Sequence, residues 1–272
     1  MNKSHFNISV VFLSIFLTSC STVPLTGRMQ LDMIPADSML SLSFQQYDEF
    51  LKTNKLSADQ TKTKMVKSVG EKIQKAVEKY MAENGLSDRL QNYQWEFNLV
   101  ENDEANAWCM PGGKVVVYTG ILPITKDENG LATVMGHEIA HAIAKHGDER
   151  MSQGLLAEFG NAALSSALQN SPDDTRALWM GVFGAGAQYG ILLPFSRVHE
   201  TEADRLGLIF MAMAGFDPSH AVSFWERMSE LKKGKSIPEF LSSHPSDENR
   251  IREIKSQLPE AMVYYKKGTS NY

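Results

Sequence analysis

The chain has 272 residues, 43% of them hydrophobic, and a formal net charge of −5 that is spread along its length. This size and composition support one sizeable folded core. They argue against nucleic acid as a partner, because proteins that bind nucleic acid usually carry a concentrated basic patch.

The first segment has the composition of a secretion signal. Lys3 precedes the apolar run Ile8–Leu17, which is too short to cross a bilayer core of roughly 30 Å as a helix. The run ends in the letters LTSC, which resemble a bacterial lipobox. We therefore predict a signal peptide over residues 1–19 and lipidation of Cys20, with an ordinary secretory signal as the alternative. Because Ser21 follows rather than aspartate, we expect an outer-membrane anchor facing the periplasm if the host has two membranes.

The next part of the chain is predicted to be a tether followed by helices. Residues 20–36 show no sustained periodicity and are expected to lead into a protease domain over residues 37–272. Helical spacing follows over Ser38–Leu51 and over Ser57–Asn84, where Ser57 is a candidate cap. We interpret both helices as packing elements.

The middle of the chain changes to the pattern of a small sheet. Trp95, Phe97 and Leu99 alternate with polar residues, which predicts a half-buried strand. The segment KVVVYT at 114–119 predicts a second strand after a Pro-Gly-Gly turn.

The second half of the chain is predicted to be nearly all helical. We expect one helix over Leu131–Ser152, another over Ser196–Ala214, a third from Pro218 and a last one after Pro245. The uncharged, glycine-rich stretch Ala177–Leu193 is predicted to be a helix packed in the core or over the active site, with a membrane-embedded segment as the alternative. Together these elements predict an α+β fold that is mainly helical.

The strongest chemical signal is the HExxH pattern at residues 137–141, inside a predicted helix. Residues four apart lie about 5–6 Å from one another on one helix face. His137 and His141 can therefore bind one Zn²⁺ at about 2.0–2.1 Å. Glu138 lies beside that ion as the candidate general base. His146 is predicted to face away, because five residues turn a helix to a position about 140° around its axis.

A third zinc ligand is expected from a later helix, because a catalytic zinc commonly has three protein ligands and one position for water. In the segment Ser196–Arg205, Glu200 and Asp204 share a helix face, whereas Glu202 points away. One carboxylate can bind the metal while the other orients a ligand, and the spacing leaves the choice open. A solvated charged face is the alternative. One Zn²⁺ per chain is the expected cofactor.

HExxH followed by SRVHETEADRLG resembles a zinc peptidase family. That family includes the eukaryotic CAAX prenyl protease, a mitochondrial inner-membrane quality-control protease and bacterial periplasmic proteases of outer-membrane biogenesis. Two more segments are similar to its motifs: NAWCMPGG at 106–113 to NAFxxPGG, and HPSDENRI at 244–251 to HPxxxxRI. The tether CSTVPLTGRMQL resembles the start of the bacterial lipoprotein members.

The resemblance implies a gluzincin-type metalloprotease domain with a small β-sheet beside the HExxH helix. It also implies zinc binding by His137, His141 and Glu200, general-base catalysis by Glu138, and a place near the metal or the scissile carbonyl for His244. With Glu200 as the ligand, Asp204 is the candidate that orients a ligand. The multiple transmembrane helices of the prenyl protease are missing from this sequence, so prenylated substrates are not expected.

The sequence thus predicts a membrane-anchored zinc metalloendopeptidase that hydrolyses unfolded or misassembled cell-envelope polypeptides. An extended substrate is expected to pair with an edge strand at Asn106, Ala107 and Trp108. The alternative is a chaperone or assembly factor for outer-membrane proteins with latent protease activity, which would work with the outer-membrane assembly machinery. A purely structural zinc protein is disfavoured, because it would need no base at Glu138.

Overall fold

The computed structural model describes residues 20–187, 193–231, 239–245 and 248–269. These residues are mainly helical with two small sheets, which confirms the predicted fold class. The strands are β1 (Cys20–Thr22), β2 (Met29–Leu31), β3 (Glu96–Val100), β4 (Ala107–Met110) and β5 (Lys114–Tyr118). The α-helices are α1 (Ala36–Thr53), α2 (Gln60–Glu83), α3 (Leu122–Thr125), α4 (Glu128–Ile143), α5 (His146–Ala167), α6 (Asp173–Ala187), α7 (Leu193–Met213), α8 (His220–Leu231), α9 (Glu239–Ser243) and α10 (Glu248–Thr269).

The chain divides into two compact units. The larger unit contains Leu40–Ala144 and His199–Tyr272, and the smaller unit contains Lys145–Val198 together with the chain up to Met39. The signal peptide predicted over residues 1–19 lies outside the described residues. It stays a prediction, as do the predicted boundaries of the tether and the protease domain.

The larger unit holds a three-stranded sheet in the order β3-β5-β4. β3 and β5 run parallel, and β4 pairs antiparallel with β5, with Trp108 opposite Val116. The outer edge of β3 is covered in part, since Leu56 forms an antiparallel bridge with Val100. No described strand pairs with the outer edge of β4, so β4 is the open edge of this sheet.

Both faces of β3 are buried, so the prediction of a half-buried strand is wrong. Helix α1 covers the face that was expected to be solvated. There the Asn98 side-chain amide donates a 2.8 Å hydrogen bond to the Tyr47 hydroxyl, which allows a polar residue to be buried. Tyr47 also packs in a core cluster with Val100, Val116 and Tyr118.

Helix α2 packs against β3 and α4. Its cap is Asp59 rather than the predicted Ser57, because the Asp59 carboxylate accepts the Lys62 N–H at 3.0 Å. Close packing against the sheet requires Gly70, where a Cβ atom would lie 2.3 Å from the Phe97 ring.

The helix predicted over Leu131–Ser152 is in fact two helices. Lys145 has φ of 57°, a left-handed conformation that ends α4 and precedes α5. The Lys145 ammonium lies 3.0 Å from an Asp32 carboxylate oxygen, so the residue at the break is held by an ion pair.

The smaller unit begins with a folded hairpin, where the sequence indicated a tether without sustained periodicity. β1 and β2 pair antiparallel, and β2 packs on α5. Arg28 donates two hydrogen bonds, of 3.0 and 2.8 Å, to the Glu149 carboxylate. The Met33 N–H donates to the Ser152 hydroxyl at 3.0 Å. These polar contacts attach the segment to the first two turns of α5.

Two later predictions are corrected in detail. Helix α8 begins at His220, two residues after the predicted start. Helix α6 carries the first part of the glycine-rich stretch, but Leu178, Trp179 and Val182 are exposed, so its described residues are not packed in a core. The rest of the stretch lies partly outside the described residues. No described helix is both long enough and apolar enough to cross a membrane.

Candidate active site

Helix α4 carries His137 and His141 on one face. Its N-terminus is capped by Asp127, whose carboxylate accepts the Gly130 N–H at 2.9 Å, and the helix is buried from Gly130 to its end. The i, i+4 spacing brings the Nε2 atoms of His137 and His141 to 3.1 Å from each other. Two imidazole nitrogens therefore converge inside the larger unit.

Glu200, on α7, meets both histidines. Its carboxylate oxygens lie 3.4 Å from His137 Nε2 and 3.3 Å from His141 Nε2. Burial alone raises the pKa of Glu200, but hydrogen bonds from the surrounding histidines outweigh burial and hold the pKa well below its usual range. Glu200 is therefore a buried carboxylate that stays ionised, as a metal ligand must be.

The approach of α4 to α7 depends on two glycines. A Cβ atom on Gly136 would lie 2.9 Å from the carbonyl oxygen of Gly207, and a Cβ atom on Gly207 would lie 2.9 Å from the backbone of Gly136. Since these neighbours are backbone atoms, no side-chain movement can relieve the contact. The two helices therefore touch directly beside His137.

Asp204 and Arg250 lie behind His137. Asp204 Oδ1 lies 2.9 Å from His137 Nδ1, and Arg250 donates two 2.8 Å hydrogen bonds to the same carboxylate. Arg250 also lies 2.8 Å from Glu200 and 3.5 Å from the centre of the Trp225 ring. Burial alone lowers the pKa of His137, but the carboxylates of Asp204 and Glu200 raise it to about 9.

His244 is the fourth member of the group. It follows α9, and its Nδ1 lies 3.1 Å from His137 Nε2 and 3.1 Å from both Glu200 oxygens. Its Nε2 lies 3.4 Å from Glu138 Oε1, so the carboxylate of the candidate general base lies beside this group of donor atoms. The Phe240 ring packs against His244 with ring centres 4.7 Å apart.

The donor atoms fit a small, borderline-soft cation. His137, His141, Glu200 and His244 are the one group of three or more His, Cys, Asp or Glu side chains in the described part of the chain whose donor atoms converge this closely. Separations of 3.1 to 3.4 Å between these donor atoms match the roughly 3.3 Å edge of a tetrahedron with Zn–N distances of about 2.0–2.1 Å. Two or three imidazoles and one carboxylate are also the donor set that zinc prefers.

The open edge of the sheet lies in the same unit as this group. The Tyr118 N–H donates to the Asn106 carbonyl at 3.0 Å, which makes this a hydrogen-bonded pair of the antiparallel ladder. By alternation, the backbone groups of Ala107 and Cys109 point to the open edge. Helix α4 packs against β4. The half-buried Trp108 packs edge-on against Phe50.

His146 and Glu202, which the helical spacing excluded as zinc ligands, are indeed outside the donor group. His146 belongs to α5 rather than to the HExxH helix, so the helical-wheel reason for excluding it is wrong, and its side chain is fully buried. Glu202 is buried as well and not on a solvated face. Cys20 begins β1, and its side chain lies outside the described part.

Sequence reasoning missed Arg250 and Trp225. Arg250 stands inside the HPxxxxRI segment, so the signal was present in a motif whose arginine had been given no role. Trp225 lies on α8, where it has the apolar spacing of an ordinary core residue. Nothing in the local pattern indicates that its ring covers a buried guanidinium.

Comparison with known proteins identifies relatives. The model of Peptidase family M48 matches residues 67–258. The mitochondrial metalloendopeptidase OMA1 of Schizosaccharomyces pombe is 39% identical over 201 residues, which cover 73% of this chain and 55% of that protein. Human metalloendopeptidase OMA1 is 29% identical over 261 residues, covering 94% and 49%. The beta-barrel assembly-enhancing protease of Escherichia coli is 32% identical over 171 residues, covering 60% and 34%. The chain thus spans about half the length of the OMA1 proteins it matches.

Proposed function

Because this chain belongs to peptidase family M48, we propose that it is a zinc-dependent metalloendopeptidase with its active site at His137, His141 and Glu200. The observation that carries the proposal is the convergence of three ligand side chains with a fourth histidine and the buried carboxylate of Glu138 beside them. The OMA1 relatives, which are named metalloendopeptidases, support the same activity.

The chain's own residues hold and orient the metal. His137, His141 and Glu200 bind it, and Asp204 accepts the Nδ1 proton of His137, which fixes the tautomer that presents a free Nε2. Arg250 holds Asp204 in turn through its two 2.8 Å hydrogen bonds. The metal, when bound, supplies a Lewis acid that polarises the scissile carbonyl and lowers the pKa of the attacking water.

Glu138 is the general base of the proposed reaction. It follows His137 directly on α4 and is buried, so its carboxylate is kept beside the ligands and away from bulk water. It accepts the proton of the attacking water and delivers it to the nitrogen of the leaving amine as the peptide bond breaks.

The substrate binds as an added strand on β4. The outward backbone groups of Ala107 and Cys109 can pair with an extended peptide, and Asn106 and Trp108 are fixed to β5 on the other side. Pairing through the backbone reads chain conformation more than side chains. Unfolded polypeptides are therefore accepted and folded ones rejected, which suits quality control of misassembled envelope proteins.

His244 would be a further ligand of the metal until substrate displaces it. Neutral imidazole is a good zinc ligand, and Nδ1 of His244 already lies among the donor atoms. His244→Ala should leave zinc bound and change the rate of casein cleavage, upward if His244 only blocks the site and downward if it also assists the reaction. An unchanged rate would leave it without a role there.

We infer that the protein is a lipoprotein anchored at Cys20. Several relatives have mitochondrial names, but residues 1–19 contain one lysine and no arginine, unlike the Arg-rich mitochondrial transit peptides. Metabolic labelling with palmitate should mark the wild-type chain and not Cys20→Ala. Label that persists in the variant would contradict Cys20 as the lipid site. Cell fractionation then shows which membrane carries the protein.

One experiment tests the enzymatic proposal. Casein cleavage by Glu138→Gln should fall by about 10²–10⁴-fold, because the general base is lost, while its zinc content stays at the wild-type level. Glu128→Gln is the matched control, since it makes the same change on the same helix at an exposed position.

Equal cleavage by Glu138→Gln and wild type would exclude Glu138 as the base.

A second function is favoured by the similarity to the beta-barrel assembly-enhancing protease: an assembly factor for outer-membrane proteins with latent activity. If that function dominates, Glu138→Gln should restore outer-membrane protein assembly in a deletion strain as well as wild type does.

A further inference from the structure

Helices α5 and α6 of the smaller unit expose large apolar side chains. Phe159, Leu178, Trp179 and Val182 are 63, 64, 52 and 53% exposed. Leu178 and Val182 are one helical turn apart and share a face of α6 with Trp179. We call these four residues the apolar surface. A group of this kind on a water-soluble body marks a contact with an apolar partner more often than chance exposure.

Two long stretches of sequence around this surface carry no charge, and Asp173, Asp174 and Arg176 lie between them in the first turn of α6. From Phe159 to Pro172 and from Ala177 to Ser196 there is no Asp, Glu, Lys or Arg. A helix whose exposed face meets water normally has charged residues there. The start of α5 is the opposite, because Glu149 pairs with Arg28 of the hairpin, and Lys145, just before the helix, pairs with Asp32, just after β2.

The position of Cys20 identifies the partner. Cys20 starts β1, and Arg28, Met33 and their partners on α5 fix the hairpin to the same compact unit. The lipid anchor is therefore not at the end of a slack tether. Phe159 follows Ser152 by seven residues, which is roughly 10 Å along α5. A membrane that holds Cys20 thus lies within reach of this unit.

We propose that the apolar surface of α5 and α6 rests in the lipid surface to which the acyl chains of Cys20 attach, an inference that rests on the lipoprotein part of the proposed function. Helix α6 has 15 residues, roughly 22 Å, which is short of a bilayer core of about 30 Å. It lies in the interface and does not cross. Trp179 suits that depth, since its ring is apolar and its N–H can bond in the headgroup region.

The contact gives the protein a second attachment point. Acyl chains at Cys20 hold the chain at the membrane but leave it free to rotate about one residue. An apolar helix face in the interface fixes the orientation of the smaller unit on the lipid surface.

The test uses the fluorescence of Trp179. The purified lipoprotein is reconstituted on vesicles of phosphatidylethanolamine and phosphatidylglycerol whose acyl chains carry bromine, which quenches nearby tryptophans. We expect quenching of wild type and of Trp95→Phe, and loss of that quenching in Trp179→Phe. Membrane-bound protein in which all three are quenched equally would overturn the proposal.

A second measurement separates this surface from the lipid anchor. Unacylated Cys20→Ala protein should still sediment with the vesicles, and adding Leu178→Asp with Val182→Asp should weaken that binding by about tenfold or more. Both positions are exposed, so the fold is retained, as casein cleavage will verify. If mass spectrometry finds no acyl chain on Cys20, the anchor proposal fails, yet vesicle binding through Trp179 would still support the surface. Protection of Trp179 by casein or by a second copy of the chain, without vesicle binding, would overturn it.

Discussion

Two buried aspartates, one in each compact unit, are in opposite electrostatic environments. Asp204 in the larger unit lies between Arg250 and His137; burial alone raises its pKa, but these neighbours hold the pKa below its usual range. Asp148 in the smaller unit is 3% exposed, and its Oδ1 has no hydrogen-bond partner among the described residues. Burial raises the pKa of Asp148 to about 6, against the opposing effect of Lys145 and with a smaller contribution from Asp32. The charge of one carboxylate is compensated by its neighbours, and that of the other is tolerated at a cost.

The difference separates residues that serve a site from residues that serve attachment. Around Asp204, each charge has an opposite charge within 3 Å, and the arrangement orients the imidazole of His137. Around Asp148, the strong pairs are those of its neighbours, Arg28 with Glu149 and Lys145 with Asp32. These pairs fasten the hairpin, and within the described part of the chain no cation forms an ion pair with Asp148.

The largest effect is expected from removing the carboxylate that faces the metal. Glu200→Ala should lower the bound zinc and abolish casein cleavage, because His137, His141 and the displaceable His244 then hold the metal without a carboxylate ligand. Elemental analysis of the purified variant measures this. Glu202→Ala on the same helix is the control and should keep full zinc. The reverse result would show that the wrong carboxylate of α7 had been chosen.

The next largest effect tests the compensated aspartate. Asp204→Asn removes one of the carboxylates that compensate the buried Arg250 and leaves Glu200 at 2.8 Å from it. Breaking a buried ion pair costs about 3–5 kcal/mol, and we expect the lower end because Glu200 remains. Zinc affinity should also fall by about 10–100-fold, since His137 loses its orienting partner. Urea unfolding and competition with a chelator measure the two effects, and a stable variant with unchanged affinity would contradict them.

The uncompensated aspartate should behave in the opposite way. The folded-state pKa of about 6 lies above the ordinary value of 3.8. Between these pH values the folded protein therefore binds more protons than the unfolded chain does. The cost of burying the charge is therefore fully present above pH 6 and disappears as the pH falls below about 4. At 1.36 kcal/mol per pKa unit it amounts to about 3 kcal/mol.

Asp148→Asn should accordingly raise the free energy of unfolding by up to about 3 kcal/mol at pH 8 and change it little at pH 4. Urea titrations at both pH values measure the difference from wild type. Asp174→Asn, at an exposed position on α6, is the control and should show no such pH dependence. An equal gain at the two pH values would mean that packing, and not charge, causes the difference in stability between Asp148→Asn and wild type.

Local periodicity explains why part of this site could be predicted. The i, i+4 spacing alone brings His137 to His141, and the same rule places Glu200 and Asp204 on one face of α7. Long-range contacts could not be read in this way. Arg250 and Trp225 meet only through tertiary packing, and Arg28 reaches Glu149 across 121 positions of sequence.

Backbone geometry also escaped prediction. The break at Lys145 is a left-handed residue that carries no glycine signal, so the helix pattern runs through it unchanged. Likewise, apolar and polar residues alternate along β3 as in a half-buried strand. Helix α1 nevertheless buries the polar face, where Tyr47 is the hydrogen-bond partner of Asn98.

The smallest effect extends the comparison from charge to packing. Gly207→Ala must push α7 away from α4, because the new Cβ atom would lie 2.9 Å from the backbone of Gly136 and His137. Such overpacking typically costs about 1–3 kcal/mol. Gly154→Ala on α5 is the matched control: its Cβ atom meets nothing within 4 Å, so the better helix propensity of alanine should stabilise the protein by up to about 1 kcal/mol. Thermal unfolding of the two variants should therefore shift in opposite directions. Zinc content should fall only in Gly207→Ala, since that glycine sets the distance between the helices that carry His137 and Glu200, and equal shifts would show that the helices are free to adjust.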